Sequence, residues 1–188
     1  TGVGNDQFSD IEQALLTGGD SANTIDASLF TGSVTVNAGA GNDTITGSDN
    51  DDQLFGNGDN DSIIGGFGND TVNGGADDDE VFGGDDDDFV LGGGGDDTLE
   101  GESGNDEIRG QSGDDVVQGG QGNDTIDGGD GSDRFSVSGD VDFTLTDAFL
   151  VGVGTDRLAN LETVELAGGF SGNLFDASGF SGDTILRG

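Results

Sequence analysis

The sequence lacks cysteine, histidine, lysine, proline, methionine, tryptophan and tyrosine altogether. Without cysteine no disulfide can form, and without cysteine or histidine the usual ligands of zinc, copper and nickel are missing. No apolar run approaches the roughly 20 residues that span a membrane as a helix. Thr1, Gly2 and Val3 do not begin a signal peptide, so we expect any targeting information to lie outside this chain or to have been removed.

Positive charge is also scarce, because four arginines face 40 acidic residues and the net charge is −36. Nucleic acid and anionic membranes would repel such a chain, so we expect no nucleic-acid partner and no membrane insertion. With 30% apolar residues and 40 glycines among 188 residues, a compact globular core is not expected. Taken alone, this composition indicates disorder.

What is present is a nine-residue repeat that runs eleven times without a gap through residues 38–136. Position one is glycine in every copy but the first. A repeat packs each unit on its neighbours and needs no globular core, which argues against disorder. Position eight is always large and apolar: Ile45, Leu54, Ile63, Val72, Val81, Val90, Leu99, Ile108, Val117, Ile126 and Phe135. Position six is always aspartate: Asp43, Asp52, Asp61, Asp70, Asp79, Asp88, Asp97, Asp106, Asp115, Asp124 and Asp133.

The repeat has the residue types of a metal site. Positions one to six favour tight turns, and positions seven to nine form a minimal strand with only position eight facing inward. If two units make one turn, residues eighteen apart stack about 4.8 Å apart, and the aspartates form two mutually repelling columns. A cation must lie between them. Oxygen-only ligands in a flexible backbone cage favour Ca²⁺ over Mg²⁺. Pairing each loop with its second neighbour predicts about nine ions. The alternatives are a disordered polar repeat and a metal-free solenoid.

Two flanking segments do not follow the nine-residue rule. At a constant offset of 150, residues 151–188 repeat residues 1–38 with 15 identities in 38 positions. We therefore predict a capping β segment at 1–37, the repeat block at 38–136 and a second β flank at 137–188, all within a piece of a longer array. Alternation predicts strands at 34–36, 141–145 and 164–166. Residues 11–16 could form a helical turn or a strand.

Residues 38–136, with their pattern G-G-x-G-x-D-x-U-x, resemble the RTX (repeats-in-toxin) β-roll of secreted bacterial proteins. The flanks resemble the spacers between such blocks in long bacterial surface proteins. The resemblance implies an all-β, right-handed parallel β-roll with non-calcium β-solenoid flanks, and export by type I secretion. It also implies that each Ca²⁺ lies between two stacked loops. One loop gives its aspartate and the carbonyls of positions two and four, and the other gives its aspartate and those of positions one and three.

Carried onto this sequence, the resemblance supplies the backbone ligands of each ion. The first site joins loop 38–43 to loop 56–61, and the second joins loop 47–52 to loop 65–70. The full set is Gly39, Gly41, Ser48, Asn50, Gly56, Asn57, Gly58, Asp59, Gly65, Gly66, Phe67, Gly68, Gly74, Gly75, Ala76, Asp77, Gly83, Gly84, Asp85, Asp86, Gly92, Gly93, Gly94, Gly95, Gly101, Glu102, Ser103, Gly104, Gly110, Gln111, Ser112, Gly113, Gly119, Gln121, Gly128 and Asp130.

Some loops depart from the glycine pattern. We expect weaker or less certain sites where position two or four is not glycine: Asn50, Asp59, Asp77 and Asp86 at position four, and Glu102 and Gln111 at position two. Lone copies of the repeat occur at 1–9 and 151–159. Neither has an aspartate-bearing loop eighteen residues further on, so we expect tight turns there rather than calcium sites.

Large apolar residues at outward positions suggest a docking patch for a partner or a second module. They are Phe55, Ile64, Phe82, Phe89 and Leu91. The alternative is that a flank covers them or that they are scattered singly. Catalysis is not expected, because identical carboxylate pairs recur without a histidine, cysteine, lysine or tyrosine to assist.

The leading hypothesis is a calcium-binding structural module of a secreted or cell-surface bacterial repeat protein, unfolded without Ca²⁺ and folding outside the cell. Its expected partners are calcium and adjacent modules of the same parent protein. One alternative is the accessory calcium-dependent region of an exoenzyme or toxin. Another is an adhesion or glycan-binding module.

Overall fold

The structure, a computed structural model, describes residues 12–139, 143–146, 148–152, 154–168 and 174–187. In these ranges every regular element is a β-strand, and no helix long and apolar enough to cross a membrane occurs. The strands stack in two sheets of 11 and 9 strands. The predicted all-β, parallel β-roll is therefore confirmed.

Successive strands of the repeat block alternate between the two sheets. The first sheet contains β1 (Gln13–Gly19), β3 (Ser33–Ala40), β5 (Gln53–Gly58), β7 (Thr71–Ala76), β9 (Phe89–Gly94), β11 (Glu107–Ser112), β13 (Thr125–Asp130), β15 (Phe143–Thr146), β16 (Phe149–Gly152), β17 (Gly154–Ala159) and β19 (Phe175–Gly179). The second contains β2 (Thr24–Asp26), β4 (Thr44–Thr46), β6 (Ser62–Phe67), β8 (Glu80–Asp85), β10 (Thr98–Ser103), β12 (Val116–Gln121), β14 (Arg134–Gly139), β18 (Thr163–Gly168) and β20 (Asp183–Arg187).

Neighbouring strands in the block pair in parallel with a register of eighteen residues. Leu54 faces Val72 in the first sheet, and Leu99 faces Val117 in the second. Two nonapeptides therefore make one turn of the roll, as the sequence predicts. All eleven position-eight residues are buried between the sheets, so each strand contributes one large side chain to a narrow core.

The strands are longer than the three residues predicted. From β5 to β13 each has six residues, which are positions seven to nine of one copy and positions one to three of the next. Pairing begins at once after the aspartate, since the N–H of Glu80 donates to the carbonyl of Asp61 at 2.9 Å. It continues into the following loop, where Ser103 pairs with Gln121. Stacked loops thus extend the ladder beyond the apolar position.

The N-terminal flank is a strand where the sequence left a choice. Residues 13–19 form β1, which pairs with β3, and Val34 and Val36 of β3 are buried. The C-terminal flank continues the second sheet through the parallel strands β14, β18 and β20. In the first sheet, however, β15 and β16 form an antiparallel hairpin, and β16 is also antiparallel to β17. The C-terminal flank thus keeps both sheets of the predicted β-solenoid, and the first sheet gains an antiparallel pair of strands there.

The two copies of the 38-residue flank share local structure but lie on opposite sheets. The N–H and Oγ of Ser28 lie 3.0 and 2.6 Å from Oδ1 of Asp26, and those of Ser178 lie 3.1 and 2.7 Å from Oδ1 of Asp176. In the first copy, β1 and β3 belong to the first sheet. Their equivalents at the offset of 150, β18 and β20, belong to the second.

Candidate metal centre

The position-six aspartates form two buried columns, one at each edge of the roll. Between 0 and 4% of the surface of each residue is exposed. The first column lies where the chain passes from the first sheet to the second, and the second column where it returns. The first column is Asp43, Asp61, Asp79, Asp97, Asp115 and Asp133, and the second is Asp52, Asp70, Asp88, Asp106 and Asp124.

One carboxylate oxygen of each aspartate is held by the backbone of the preceding turn. Oδ1 of Asp97 accepts the N–H of Asp79 at 2.8 Å, and Oδ1 of Asp106 accepts the N–H of Asp88 at 2.9 Å. The same bond recurs between repeat aspartates of both columns at 2.7–3.0 Å. This ladder orients the side chains and so determines where the second oxygen lies.

The second oxygen has no hydrogen-bond partner in ten of the eleven repeat aspartates. Each of these Oδ2 atoms is buried. An ionised oxygen buried without a donor or counter-ion destabilises a fold, so such atoms indicate that a ligand belongs beside them. The ten residues are Asp43, Asp61, Asp70, Asp79, Asp88, Asp97, Asp106, Asp115, Asp124 and Asp133.

The glycine at position one has no side chain, and this leaves an open space beside the Oδ2 atom of the aspartate in the same loop. A Cβ on Gly83 would lie 2.5 Å from Oδ2 of Asp88 and 3.0 Å from the carbonyl oxygen of Gly101 in the next turn. Those contacts are too short for any side chain. An aspartate oxygen of one loop and a position-one carbonyl of the next therefore converge, which agrees with the ligand set that the sequence resemblance implies.

Positions two and four adopt a left-handed backbone even where they are not glycine. Because these residues keep the positive φ of the glycines they replace, their carbonyls remain in left-handed loops of the same kind. The six non-glycine cases are Asn57, Asp59, Asp77, Asp86, Glu102 and Gln111, with φ between 67° and 85°.

Loop 47–52 differs from the other loops, because its residues at positions two and four do not have a left-handed backbone. Ser48 and Asn50 are not among the residues with positive φ. The Ser48 N–H donates to Oδ2 of Asp52 at 2.6 Å, and its hydroxyl lies 3.0 Å from the same oxygen. Asp52 is thus the one repeat aspartate whose second oxygen already has donors. The site predicted from Ser48, Asn50 and Asp52 starts from a loop that satisfies its own carboxylate.

Burial raises the pKa of nine of the repeat aspartates, namely Asp61, Asp70, Asp79, Asp88, Asp97, Asp106, Asp115, Asp124 and Asp133. Loss of hydration is the largest cause; the N–H bond to Oδ1 opposes it, and neighbouring carboxylates add to it. A metal-free column therefore holds protons near neutral pH, and a cation would displace them. The pKa rises to about 6 in Asp61, Asp106 and Asp115, to about 7 in Asp79, Asp88 and Asp97, and to about 8 in Asp70.

Both columns continue beyond the nonapeptide block. Oδ1 of Asp156 accepts the N–H of Asp124 at 3.2 Å, 32 residues apart, and Oε2 of Glu162 accepts the N–H of Asp133 at 2.8 Å, 29 residues apart. The sequence prediction of a tight turn at 151–159 rested on the lack of an aspartate-bearing loop eighteen residues further on. Strands β16 and β17 do pair closely there, at Gly152 and Gly154, and the column reaches Asp156 from Asp124 across the inserted hairpin. The pattern G-x-D-x-U at 154–158 was the visible signal. The other lone copy, at 1–9, lies outside the described residues.

A second ladder of side chains, at position five, was not recognised in the sequence. Oδ1 of Asp96 accepts the N–H of Asp114 at 2.9 Å, and Oδ1 of Asn105 accepts the N–H of Asn123 at 3.1 Å. Asparagine or aspartate occupies this position in ten of the eleven copies, which was the available signal. These exposed residues join stacked loops without any metal.

The five residues predicted to form a docking patch do not share one surface. Phe55, Phe89 and Leu91 lie on strands of the first sheet, whereas Ile64 and Phe82 are paired neighbours in the second. Outward positions on the two sheets face opposite sides of the roll. A single docking surface that contains all five is therefore not formed.

The donors present fit calcium. Among the described residues, no point is surrounded by three or more aspartate, glutamate, histidine or cysteine side chains, so backbone carbonyls must complete any site. The ligand set that the resemblance implies, two carboxylates and four carbonyls from a pair of stacked loops, would supply six oxygen ligands. Ca²⁺ takes six to eight such ligands in flexible geometry, whereas Mg²⁺ demands a near-ideal octahedron and keeps its water.

Comparison with known families agrees with this donor set. The model of the RTX calcium-binding nonapeptide repeat matches residues 35–63, 55–90, 64–99, 91–123, 100–135 and 109–143. These matches overlap to cover residues 35–143, more than half of the chain. A search of curated proteins found no match. All eleven repeat aspartates lie within the matched residues, and the chain belongs to the family of RTX calcium-binding nonapeptide repeats.

Proposed function

We propose that this chain is a calcium-folded structural module of a secreted or cell-surface bacterial repeat protein. The observation that carries the proposal is the set of ten buried Oδ2 atoms without a partner. Burying an ionised carboxylate costs several kcal/mol unless a counter-ion compensates. At neutral pH a metal-free roll must take up protons that the unfolded aspartates do not bind, which opposes folding. A cation between the turns removes that cost, and calcium is the cation that the donors of the roll fit.

Binding and folding are one event in this mechanism. Each site draws its ligands from two loops that are eighteen residues apart, and these meet only when the turns stack. The unfolded chain has no assembled site, so the free energy of calcium binding becomes folding free energy. Without calcium, the net charge of −36 keeps the chain expanded.

The affinity expected for such sites determines where the chain folds. Extracellular calcium modules bind with Kd values of about 10⁻⁴–10⁻³ M. The cytosol holds far less free calcium than this, so the chain stays unfolded there and remains suited to type I export. Millimolar calcium outside the cell then fills the sites. The module has no catalytic step in this proposal.

The repeated flank favours an array of modules over the accessory region of an exoenzyme. The hydrogen bonds between Ser28 and Asp26 recur between Ser178 and Asp176, one long period later. A second long unit thus begins within the chain with the same local structure as the first. Adjacent units of the parent protein are the partners that this arrangement implies.

The test is far-UV circular dichroism during a calcium titration that starts in chelator at neutral pH, with magnesium as the control. We expect a cooperative gain of β signal with calcium alone, with a midpoint of about 10⁻⁴–10⁻³ M. A chain that is already β-rich in chelator and unchanged by calcium would overturn the proposal. A midpoint at micromolar calcium would contradict its extracellular part.

A further inference from the structure

We propose a calcium site outside the eleven nonapeptides, at the junction between the first long unit (1–150) and the second (151–188). Its carboxylates are those of Asp133 and Glu162, and its carbonyls include that of Asn160. The site rests on the proposed function, because it adds one more ion to the first column. The family match ends at residue 143, so nothing in the match assigns Asn160 or Glu162 a role.

The last repeat aspartate of the first column supplies the unpartnered group. Asp133 is completely buried, and its Oδ1 accepts the N–H of Asp115 at 2.9 Å. Its Oδ2 is buried and has no hydrogen-bond partner. A carboxylate oxygen in the interior of the junction is therefore left without a counter-charge.

The carbonyl of Asn160 occupies the place of a position-one carbonyl. A Cβ on Gly128 would lie 2.6 Å from Oδ2 of Asp133 and would overlap the carbonyl oxygen of Asn160. The same pair of oxygens surrounds Gly83 within the block. Asn160 is also one of the few non-glycine residues with positive φ, at 49°. Residues 160–162, which connect β17 to β18, thus replace a repeat loop although they lack the repeat sequence.

Glu162 takes the place of the next aspartate in the first column. Its Oε2 accepts the N–H of Asp133 at 2.8 Å, as each repeat aspartate does for the turn before it. The carbonyl of Asp133 in turn accepts the N–H of Thr163 at 3.0 Å, which continues the backbone ladder. Glu162 is exposed, unlike the repeat aspartates, so water can complete the coordination on its open side.

No protein cation compensates these two carboxylates in the described part of the chain. Neither Asp133 nor Glu162 belongs to any ion pair found there. The neighbouring arginines, Arg134 and Arg187, both pair with Glu165 instead. A calcium ion at the junction supplies the missing charge and ties strand β18 of the second long unit to the block of the first.

The experiment counts bound calcium in Glu162→Gln and Glu162→Ala by equilibrium dialysis and metal analysis at millimolar calcium. The matched control is Glu12→Gln, the same residue one long period earlier in the sequence. We expect the wild-type chain and the control to bind equally, and the Glu162 variants to bind one ion fewer. Retention of the full number by Glu162→Ala would overturn the junction site.

Trypsin gives a local readout in the same samples, because the chain has four arginines and no lysine. Arg157 lies in β17 at the junction, whereas Arg109 lies in β11 within the block. In calcium, cleavage after Arg157 should accelerate several-fold in the Glu162 variants, with cleavage after Arg109 unchanged. Equal rates at Arg157 in all chains would contradict the site. If the wild-type chain binds no calcium, the proposed function fails. If the wild-type chain binds calcium and the Glu162 variants bind the same number of ions, the junction site alone fails.

Discussion

Replacing Asp97 by asparagine removes one charge from the middle of the first column and leaves the shape of the side chain almost unchanged. Asp97 lies between Asp79 and Asp115, so in the family arrangement its carboxylate serves an ion on each side. With Kd values of about 10⁻⁴–10⁻³ M, about 10 mM calcium stabilises the fold by about 1.4–2.7 kcal/mol per ion. Losing both ions should lower the free energy of unfolding by about 3–5 kcal/mol.

The matched control is Asp96→Asn, the same change one residue earlier. Asp96 is exposed, and its Oδ1 accepts the N–H of Asp114 at 2.9 Å, a bond that an asparagine oxygen can keep. Because the side chain does not face the interior of the column, we expect a change within about 0.5 kcal/mol.

The sign of the Asp97→Asn effect should reverse in chelator. Without metal, the buried Oδ2 of Asp97 is a charge without compensation, and burial raises its pKa to about 7. The amide removes that charge, so in chelator the acid-induced fold of the variant should persist to a pH at least as high as that of the wild-type chain. Urea denaturation in calcium and a pH titration in chelator, both followed by circular dichroism, measure the two signs. A variant that unfolds at lower pH than the wild-type chain in chelator, or an equal loss in calcium from Asp96→Asn, would refute the reasoning.

Three further predictions concern protons, space and the core. In chelator, acid should fold the chain. Buried repeat aspartates such as Asp61 and Asp70 have a pKa of about 6–8 in the folded state, against about 3.8 in the unfolded state. The stability that protonation gives is therefore complete below about pH 4 and is lost as the pH rises through about 6–8. Absence of an acid-induced β signal would contradict this. Gly56→Ala should weaken calcium binding, since its Cβ would overlap Oδ2 of Asp61, whereas Gly58→Ala meets nothing within 4 Å and should bind as wild type in the same titration. Leu99→Ala should cost about 2–5 kcal/mol in calcium by urea denaturation, with the exposed Leu29→Ala as the neutral control.

The block was predictable from the sequence because its contacts repeat with the period of the sequence. Aspartate every nine residues and two copies per turn suffice to place Asp43 one turn before Asp61, as the N–H bond between them shows. The same reasoning puts Leu99 opposite Val117 in the core. Periodicity converts a local pattern into long-range register, and no other information is needed.

The ends of the columns were not predictable, because they depend on how many residues are inserted between one turn and the next. The hairpin of β15 and β16 lengthens the spacing from Asp124 to Asp156 to 32 residues, which no fixed period reveals. The donors that Ser48 gives to Asp52 likewise follow from a loop conformation that differs from those of the other copies. Both features depend on the conformation of one particular segment of backbone, and the nine-residue pattern carries no information about it.

The placement of the repeated flank on opposite sheets has a geometric consequence for the parent array. Strand β1 of the first long unit lies in the first sheet, and its counterpart β18 in the second long unit lies in the second sheet. In the proposed array, equivalent positions of consecutive units would be related by half a rotation about the axis of the roll as well as by a translation along it. A side chain on one side of the roll would then recur on that side only in every second unit.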